Sequence, residues 1–315
     1  MRIAITGASG FIGSHLASTL AAAGTPARLL VNQTAVTVPG EAMAGSLFDP
    51  SSLARFLEGV DVLFHLASAL GGRRLDESGY FLVNREGAIN LIRVAVAVGV
   101  RKVVHFSSAG VYGKTDGITP LRESDATHPV DAYERSKLAG EEAALSFSNQ
   151  IDVTVVRPGW VYGERDRRTC KLISQIARGP FFIAGSGRPC QSVVHVSDLV
   201  RAVRLAADRG HRGGIYNLGG ENIPVSRLVG QIAIALGRSP RFLHLPLAGV
   251  ETAAWICERI LGARAPLNRS KLAFFKRGKP LDSSRAAAEL GFRPEIEFSA
   301  GIIRTVAWYR QAGWL

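Results

Sequence analysis

Cysteine is scarce in this chain, and Cys170, Cys190 and Cys257 show no paired spacing. A disulfide frame and a cysteine metal site are therefore not expected. The three read as small, buried apolar residues in a reducing compartment. Histidines and carboxylates do not cluster at metal-ligand spacing either, so no metal is expected. No apolar run is long enough to span a bilayer. The chain opens Met1-Arg2-Ile3-Ala4-Ile5-Thr6-Gly7, straight into structure and without a secretory signal, and a cytoplasmic location is expected. Acidic residues are the sparser charge, with 26 Asp and Glu against 38 Lys and Arg, for a formal net charge of +12. Such a surplus suits nucleic acid, an anionic membrane surface or an anionic ligand. Basic residues interleaved with base-stacking aromatics are missing, so no nucleic-acid partner is expected.

What is present reads as globular: 315 residues, 47% hydrophobic and 20% charged. The first half alternates short β-branched runs with helical stretches, the pattern of βαβ units. Strands are expected at Ile3–Ile5, Ala27–Val31, Asp61–Leu66, Val103–Phe106 and Val153–Val156. Helices are expected at Ile12–Ala23, Val83–Val98 and Tyr133–Leu145. After Arg157-Pro158 loops lengthen, Gly and Pro become commoner, and short strands appear at Val193–Val196 and Ile215–Leu218. From Pro224 onward the pattern is mostly helical. The expected fold is α/β, a Rossmann-type doubly wound parallel sheet over residues 1–160. A smaller, mainly helical substrate part covers 161–315, with segments within about 192–219 able to return to the main sheet.

Thr6-Gly7-Ala8-Ser9-Gly10-Phe11-Ile12-Gly13 follows the first strand and opens a helix. Glycines there let the backbone turn tightly, approach a pyrophosphate and pack helix on sheet. The helix N-terminus offers free N–H groups to phosphate. The second strand ends Leu30-Val31-Asn32-Gln33, with neither the acid that selects NAD nor an arginine for a 2′-phosphate. Asn32 suits either cofactor, and the reading leans slightly to NADP.

His105-Phe106-Ser107-Ser108-Ala109-Gly110-Val111-Tyr112-Gly113 runs from strand into loop. Tyr133 and Lys137 lie four apart on one helix face. The lysine charge is expected to lower the tyrosine pKa, and Ser108 to orient the substrate oxygen. Such a tyrosine serves as general acid or base at an alcohol or ketone. Two basic clusters, Arg165/Arg167/Arg168/Lys171 and Arg269/Lys271/Lys276/Arg277/Lys279, read first as solvated surface and second as phosphate ligands. His105 and His195 read as satisfied structural histidines.

Together these motifs resemble the extended short-chain dehydrogenase/reductase family, which includes sugar-nucleotide epimerases and dehydratases. The order is kept by Asp61–Ala67, Val83–Gly87, Arg157–Gly163, Val194–Asp198 and Asp282–Ala286. The resemblance implies Ser108, Tyr133 and Lys137 as the catalytic set. It implies Gly7, Gly10, Phe11, Ile12, Leu47, Leu66, Ala67, Asn84 and Pro158 around the cofactor, with Ser107 beside the nicotinamide; Gly13 and Asn32 complete that list from the motif and strand tip. Where the family often carries Gly-Asp for the adenine, this chain has Gly45-Ser46.

Three reactions compete. Dehydratases resembling this family carry acids after the active-site hydroxyl, and here those positions are Ala109 and Gly110. Epimerases often carry an arginine before the Val-His-Val stretch, and here it is Gln191-Ser192, although Arg188 is near. An oxidoreductase for a small apolar alcohol or ketone, similar to the hydroxysteroid dehydrogenase and dihydroflavonol reductase branch, is favoured. A nucleotide-sugar epimerase is the alternative, and a non-catalytic dinucleotide-binding protein the third. Phe242, Leu243, Leu245, Leu247, Trp255, Ile256, Phe274 and Phe275 are expected to serve an apolar substrate or the core of the smaller part. Surplus apolar residues such as Ala95, Ala97, Ala139 and Ala143 lead to an expected homodimer through two helices of each copy.

Overall fold

Ile3–Thr6, Val62–His65 and Lys102–Phe106 are buried at every position. A strand has this pattern when helices cover both faces of its sheet. The structure, a computed structural model, describes residues 1–70, 75–179, 181–240, 242–261, 272 and 277–315. In chain order the strands are β1 (Ile3–Thr6), β2 (Arg28–Val31), β3 (Glu41–Ala44), β4 (Val62–His65), β5 (Lys102–Phe106), β6 (Asp152–Pro158), β7 (Trp160–Tyr162), β8 (Phe181–Ala184), β9 (Cys190–His195), β10 (Ile215–Leu218), β11 (Glu221–Pro224) and β12 (Phe242–Leu245). The helices are α1 (Phe11–Ala22), α2 (Pro50–Leu57), α3 (Glu77–Phe81), α4 (Gly87–Ala97), α5 (Ala132–Leu145), α6 (Arg167–Arg178), α7 (Val196–Arg209), α8 (Val225–Ala235), α9 (Leu247–Leu261) and, last among those described, α10 (Phe298–Gln311).

Seven strands form the central sheet in the order β10-β6-β5-β4-β1-β2-β3, with parallel pairings. The strand order reverses between β1 and β4, so a crevice opens beyond their C-terminal ends. One core packs α1 and α7 on the sheet through Leu16, Leu20, Phe64, Leu199 and Val203. The other packs α2, α4 and α5 through Phe56, Leu91, Ile92, Val103 and Ala144. A third core of Ile173, Ile183, Val193, Leu228, Ile232 and Ile302 joins α6, α8 and α10 to the small sheet β11-β9-β7. β10 lies in the central sheet although it follows β7–β9 in sequence, pairing with β6 from Ile215↔Val155 to Leu218↔Pro158.

The structure differs from the periodicity in three places. The helix expected over Val83–Val98 is broken by a π-helical turn at Leu82–Glu86 before α4 begins. That turn brings the Asn84 carbonyl against α5, where a Cβ on Gly140 would stand 2.2 Å from it. β7, β8 and β12 are strands in a region expected to be loop or helix, and β12 and β8 pair with each other. Ala95 was expected on an outer helix face and lies in the core, because it packs with Leu91 and Ile92, whereas Ala97 is exposed. Phe274 and Phe275 lie outside the described residues.

β6 and α5 are tied by a buried ion pair. Arg157 Nε and Nη2 donate to Glu141 at 3.1 and 2.5 Å. Arg157 Nη1 also donates to Tyr112 Oη at 2.9 Å, and Tyr112 Oη donates to Asn217 of β10 at 2.8 Å. Removing one partner leaves the other charge buried and uncompensated. Arg157→Met is expected to lower the unfolding free energy by about 3–5 kcal/mol, read by urea titration. Adding Glu141→Leu to that variant should recover part of the loss; a single variant as stable as the parent would show the pair is not holding β6 to α5.

Candidate active site

The crevice begins where β1 and β4 end. Thr6 Oγ1 shares a 2.7 Å hydrogen bond with His65 Nδ1 and accepts the Ala67 N–H at 3.2 Å. Gly7 then turns with φ +78°, where a Cβ would meet Ala67 N at 2.7 Å. Only glycine fits both the angle and the approach. Gly13 is equally constrained, since its Cβ would stand 2.3 Å from the Gly7 carbonyl, which holds α1 against the turn. Gly10 caps α1 with no side chain, leaving the first-turn N–H groups facing the crevice.

A cavity of about 1210 Å³ occupies this crevice and extends across the C-terminal ends of β5 and β6. Gly7, Gly10, Phe11, Ile12, Gly13, Asn32, Leu47, Leu66, Ala67, Ser107, Ser108, Tyr133, Lys137 and Pro158 all line it. Asn84 does not. It is buried behind the wall, where its carbonyl accepts from Ala69 N and Ser68 Oγ at 2.7 and 2.9 Å, and its amide donates to Ser136 Oγ at 2.8 Å. Asn84 therefore fixes the loop after β4 and does not itself face the cavity. The lining suits a dinucleotide: a glycine cradle without room for Cβ atoms, an uncapped helix N-terminus, and a buried Ser107 Oγ without a hydrogen-bond partner among the described residues.

Ser108, Tyr133 and Lys137 all line this cavity, and the Ser108 hydroxyl hydrogen-bonds the Tyr133 phenol. Burial raises the Tyr133 phenol above the usual tyrosine range, while the Arg168 cation and a hydrogen bond with Ser108 pull it back. Burial lowers the Lys137 amine to about 8, and Glu141 opposes that shift. Lys137 Nζ donates to the Phe106 carbonyl at 2.5 Å. Desolvation is thus the dominant influence on the phenol, opposed first by the Arg168 cation. Beneath them the His65 and His105 rings lie 5.2 Å apart. His65 is held down to about 3, first by burial and then by Lys137. His105 is also neutral, but neither of its nitrogens has a partner among the described residues, so it is not the satisfied histidine expected. His195 is satisfied: Nδ1 accepts Ser197 N–H at 3.2 Å, and Nε2 lies 3.4 Å from Glu164.

The basic clusters divide. Arg168 and Lys171 line the cavity, whereas Arg167 stacks on Trp314 at 3.5 Å and Arg165 reaches Thr37. Lys279 also lines the cavity and is anchored to Glu134 at 2.5 Å and to the Gly110 carbonyl at 3.0 Å. Arg269, Lys271 and Lys276 lie outside the described residues. Trp160, Leu172, Phe181, Phe182 and Leu272 give the far end an apolar wall, joined by Gln175 and Gln191. Apart from Trp160, within the Arg157–Gly163 motif, and Gln191, the sequence motifs did not single out these lining residues, because they come from α6, β8 and residue 272, which have no shared local pattern. Leu243, Leu245, Trp255 and Ile256, expected to serve substrate or core, are exposed.

The family model for the NAD-dependent epimerase/dehydratase family matches residues 3–219. Sterol demethylase protein B of Methylococcus capsulatus is 30% identical, covering 99% of both chains. Ceramide reductase of Caulobacter vibrioides is 30% identical, covering 99% of this chain and 96% of its own. The solved structure of MoeE5 in complex with UDP-glucuronic acid and NAD is 28% identical with a TM-score of 0.80, covering 99% of this chain and 100% of that one. This chain belongs to the NAD-dependent epimerase/dehydratase family and is an NAD(P)-dependent enzyme of the extended short-chain dehydrogenase/reductase type.

Proposed function

We propose that the enzyme is an oxidoreductase acting on the keto or hydroxyl group of an apolar substrate. The observation that carries this reading is the wall of Trp160, Leu172, Phe181, Phe182 and Leu272 in the same cavity as Tyr133. Likeness to a ceramide reductase and to a sterol demethylase component adds support. Gly7, Gly10, Phe11, Ile12 and Gly13 would hold the dinucleotide pyrophosphate, Asn32 and Leu47 its adenosine end, and Leu66, Ala67, Ser107, Lys137 and Pro158 the nicotinamide end. When bound, the dinucleotide supplies or takes the hydride. Tyr133, kept protonated near neutrality by burial, donates its phenolic proton to the ketone oxygen. Ser108 hydrogen-bonds the same oxygen. Lys137 places positive charge beneath them while protonated. Asn84 positions the loop after β4 without touching either ligand.

A nucleotide-sugar epimerase is the second reading, favoured by Arg168 and Lys171 on the cavity wall. A panel of apolar ketones and UDP-sugars, each with NADPH or NADH, separates the two. Net loss of reduced nicotinamide with a ketone supports reduction; an epimerised sugar without net loss overturns it. Tyr133→Phe should slow turnover by about 10²–10⁴-fold and leave cofactor binding largely intact. Reduction by the parent enzyme should fall as pH rises through about 8, where Lys137 loses its proton. A flat pH profile to well above that value would remove the lysine charge from the mechanism.

The free thiols of Cys170, Cys190 and Cys257 suit a cytoplasmic setting. A homodimer through the outer faces of α4 and α5, with Ala97, Ala139 and Ala143, suits their exposed or half-buried small residues. Light scattering at micromolar concentration should give twice the 33.7 kDa chain mass; a monomer counts against this interface.

Cofactor choice rests on the β2 tip. Asn32, Gln33 and Thr34 line the cavity there, and no carboxylate among them repels a 2′-phosphate. NADP should bind at least as well as NAD. Asn32→Asp should move the preference toward NAD, measured by titrating both cofactors against both proteins. Strong NAD preference in the parent would mean that Asn32 already serves as the ribose partner.

A further inference from the structure

Residues 32–40, which lead from the β2 tip to β3, contain no charged side chain. A 2′-phosphate at this end of a dinucleotide is ordinarily held by an arginine near the strand tip. The neutral tip admits that phosphate without holding it. A cation reaches this stretch from another part of the chain. Arg165 lies between β7 and α6, and its Nη2 donates to Thr37 Oγ1 at 3.4 Å across 128 residues of sequence.

The backbone at Arg165 is unusual. Its φ is +69°, and it is the one non-glycine residue with positive φ among the described residues. An L side chain rarely adopts that conformation, and where one does, the surroundings fix it, often at a ligand clamp. Both neighbours of Arg165 are fixed. The Glu164 carboxylate accepts from Arg304 Nε of α10 at 3.0 Å, and the Glu164 carbonyl accepts from His15 Nε2 of α1 at 2.8 Å. Asp166 caps α6 by accepting from the N–H groups of Arg168 and Thr169, and its carbonyl accepts from Tyr309 Oη of α10 at 2.7 Å. The left-handed residue between these two anchors carries its side chain to the loop after β2.

The Arg165 side chain is exposed, and no carboxylate among the described residues pairs with it. Thr37 is neutral, so the bond to it leaves the charge uncompensated. That charge is felt on α1 as well: burial lowers the His15 imidazole below the usual histidine range, and Arg165 pushes it the same way. His15 meets Phe11 edge to face at 5.5 Å, and Phe11 lines the cavity with Asn32, Gln33 and Thr34. Arg165 is therefore a free cation within reach of α1 and of the loop after β2. A dinucleotide lays its pyrophosphate and adenosine ribose against those two elements. We propose that Arg165 holds the 2′-phosphate of NADP, so that a residue after β7 supplies the charge that the β2 tip lacks. The inference rests on the reading that NADP is accepted: the neutral tip permits the phosphate, and the guanidinium fork binds it.

The test is titration of the whole chain with NADPH and with NADH, followed by nicotinamide fluorescence without substrate. The two ligands differ only in the 2′-phosphate. Arg165→Gly should bind NADPH about tenfold more weakly or worse and NADH as the parent does. Glycine accepts the left-handed backbone, so the turn is kept. Arg165→Asn, also tolerant of that backbone, serves if the glycine variant does not fold. Thr37→Val removes the contact but not the charge, and should leave NADPH affinity unchanged. Unchanged NADPH affinity in Arg165→Gly overturns the proposal while the NADP reading stands. So does an equal loss of NADH and NADPH. A loss in Thr37→Val as large as in Arg165→Gly also overturns it, because Arg165 would then only tie two loops together. A parent that binds NADH far more tightly than NADPH overturns the NADP reading itself, and the role of Arg165 with it.

Discussion

Thr6, Gly7, His65 and Ala67 meet where the two halves of the sheet diverge. Thr6 Oγ1 bonds His65 Nδ1 and receives the Ala67 N–H, and Gly7 leaves no room for a Cβ against that backbone. The ends of β1 and β4 are thereby fixed side by side, and the chain departs from them in opposite directions. Everything that lines the cavity hangs from this point. The α1 N-terminus stands over it because Gly13 packs on the Gly7 carbonyl. The loop after β4 forms its other lip because Asn84 pins Ser68 and Ala69 from behind. A Cβ at Gly7 or Gly13 would clash with this backbone and force the turn or α1 to shift.

Buried polar groups then set the far wall. Arg157 and Glu141 join β6 to α5 and, through Tyr112, to β10. Lys279 reaches back to Glu134 and to the Gly110 carbonyl, holding the Ser108 loop beside the helix that carries Tyr133. The same burial that makes these pairs strong keeps the Tyr133 phenol protonated and weakens the hold of Lys137 on its proton. Scaffold and chemistry share one cause here, the exclusion of water from the C-terminal edge of β5 and β6.

The cavity is polar where the glycine turn lies and apolar where β8 and residue 272 close it, with Arg168 and Lys171 along its side. That division suits a charged dinucleotide at one end and a hydrocarbon body at the other. Outside the cavity, α9 exposes Trp255, Ile256 and Ile260 to solvent. Net charge, read from composition alone, left nucleic acid, membrane and small anions open.

The sequence by itself determined the parallel sheet, the glycine turn at its centre, and the placing of Tyr133 and Lys137 on one face of α5. Each follows from local rules: buried β-branched runs, the conformational demand on Gly7, and the one-face spacing of a tyrosine and lysine on α5. Tertiary structure alone decided what those residues feel. Arg168 is on α6 and Lys279 lies 145 residues from its partner Glu134, so their effects on the site are absent from any local window. Asn84 reads as a cavity residue in its motif, yet the π-helical turn directs it into the loop behind the wall. The apolar residues of β12 and α9 carry no sign in the sequence of whether they face core, substrate or solvent. Periodicity reports which residues share a face, whereas burial depends on which distant element arrives to cover that face.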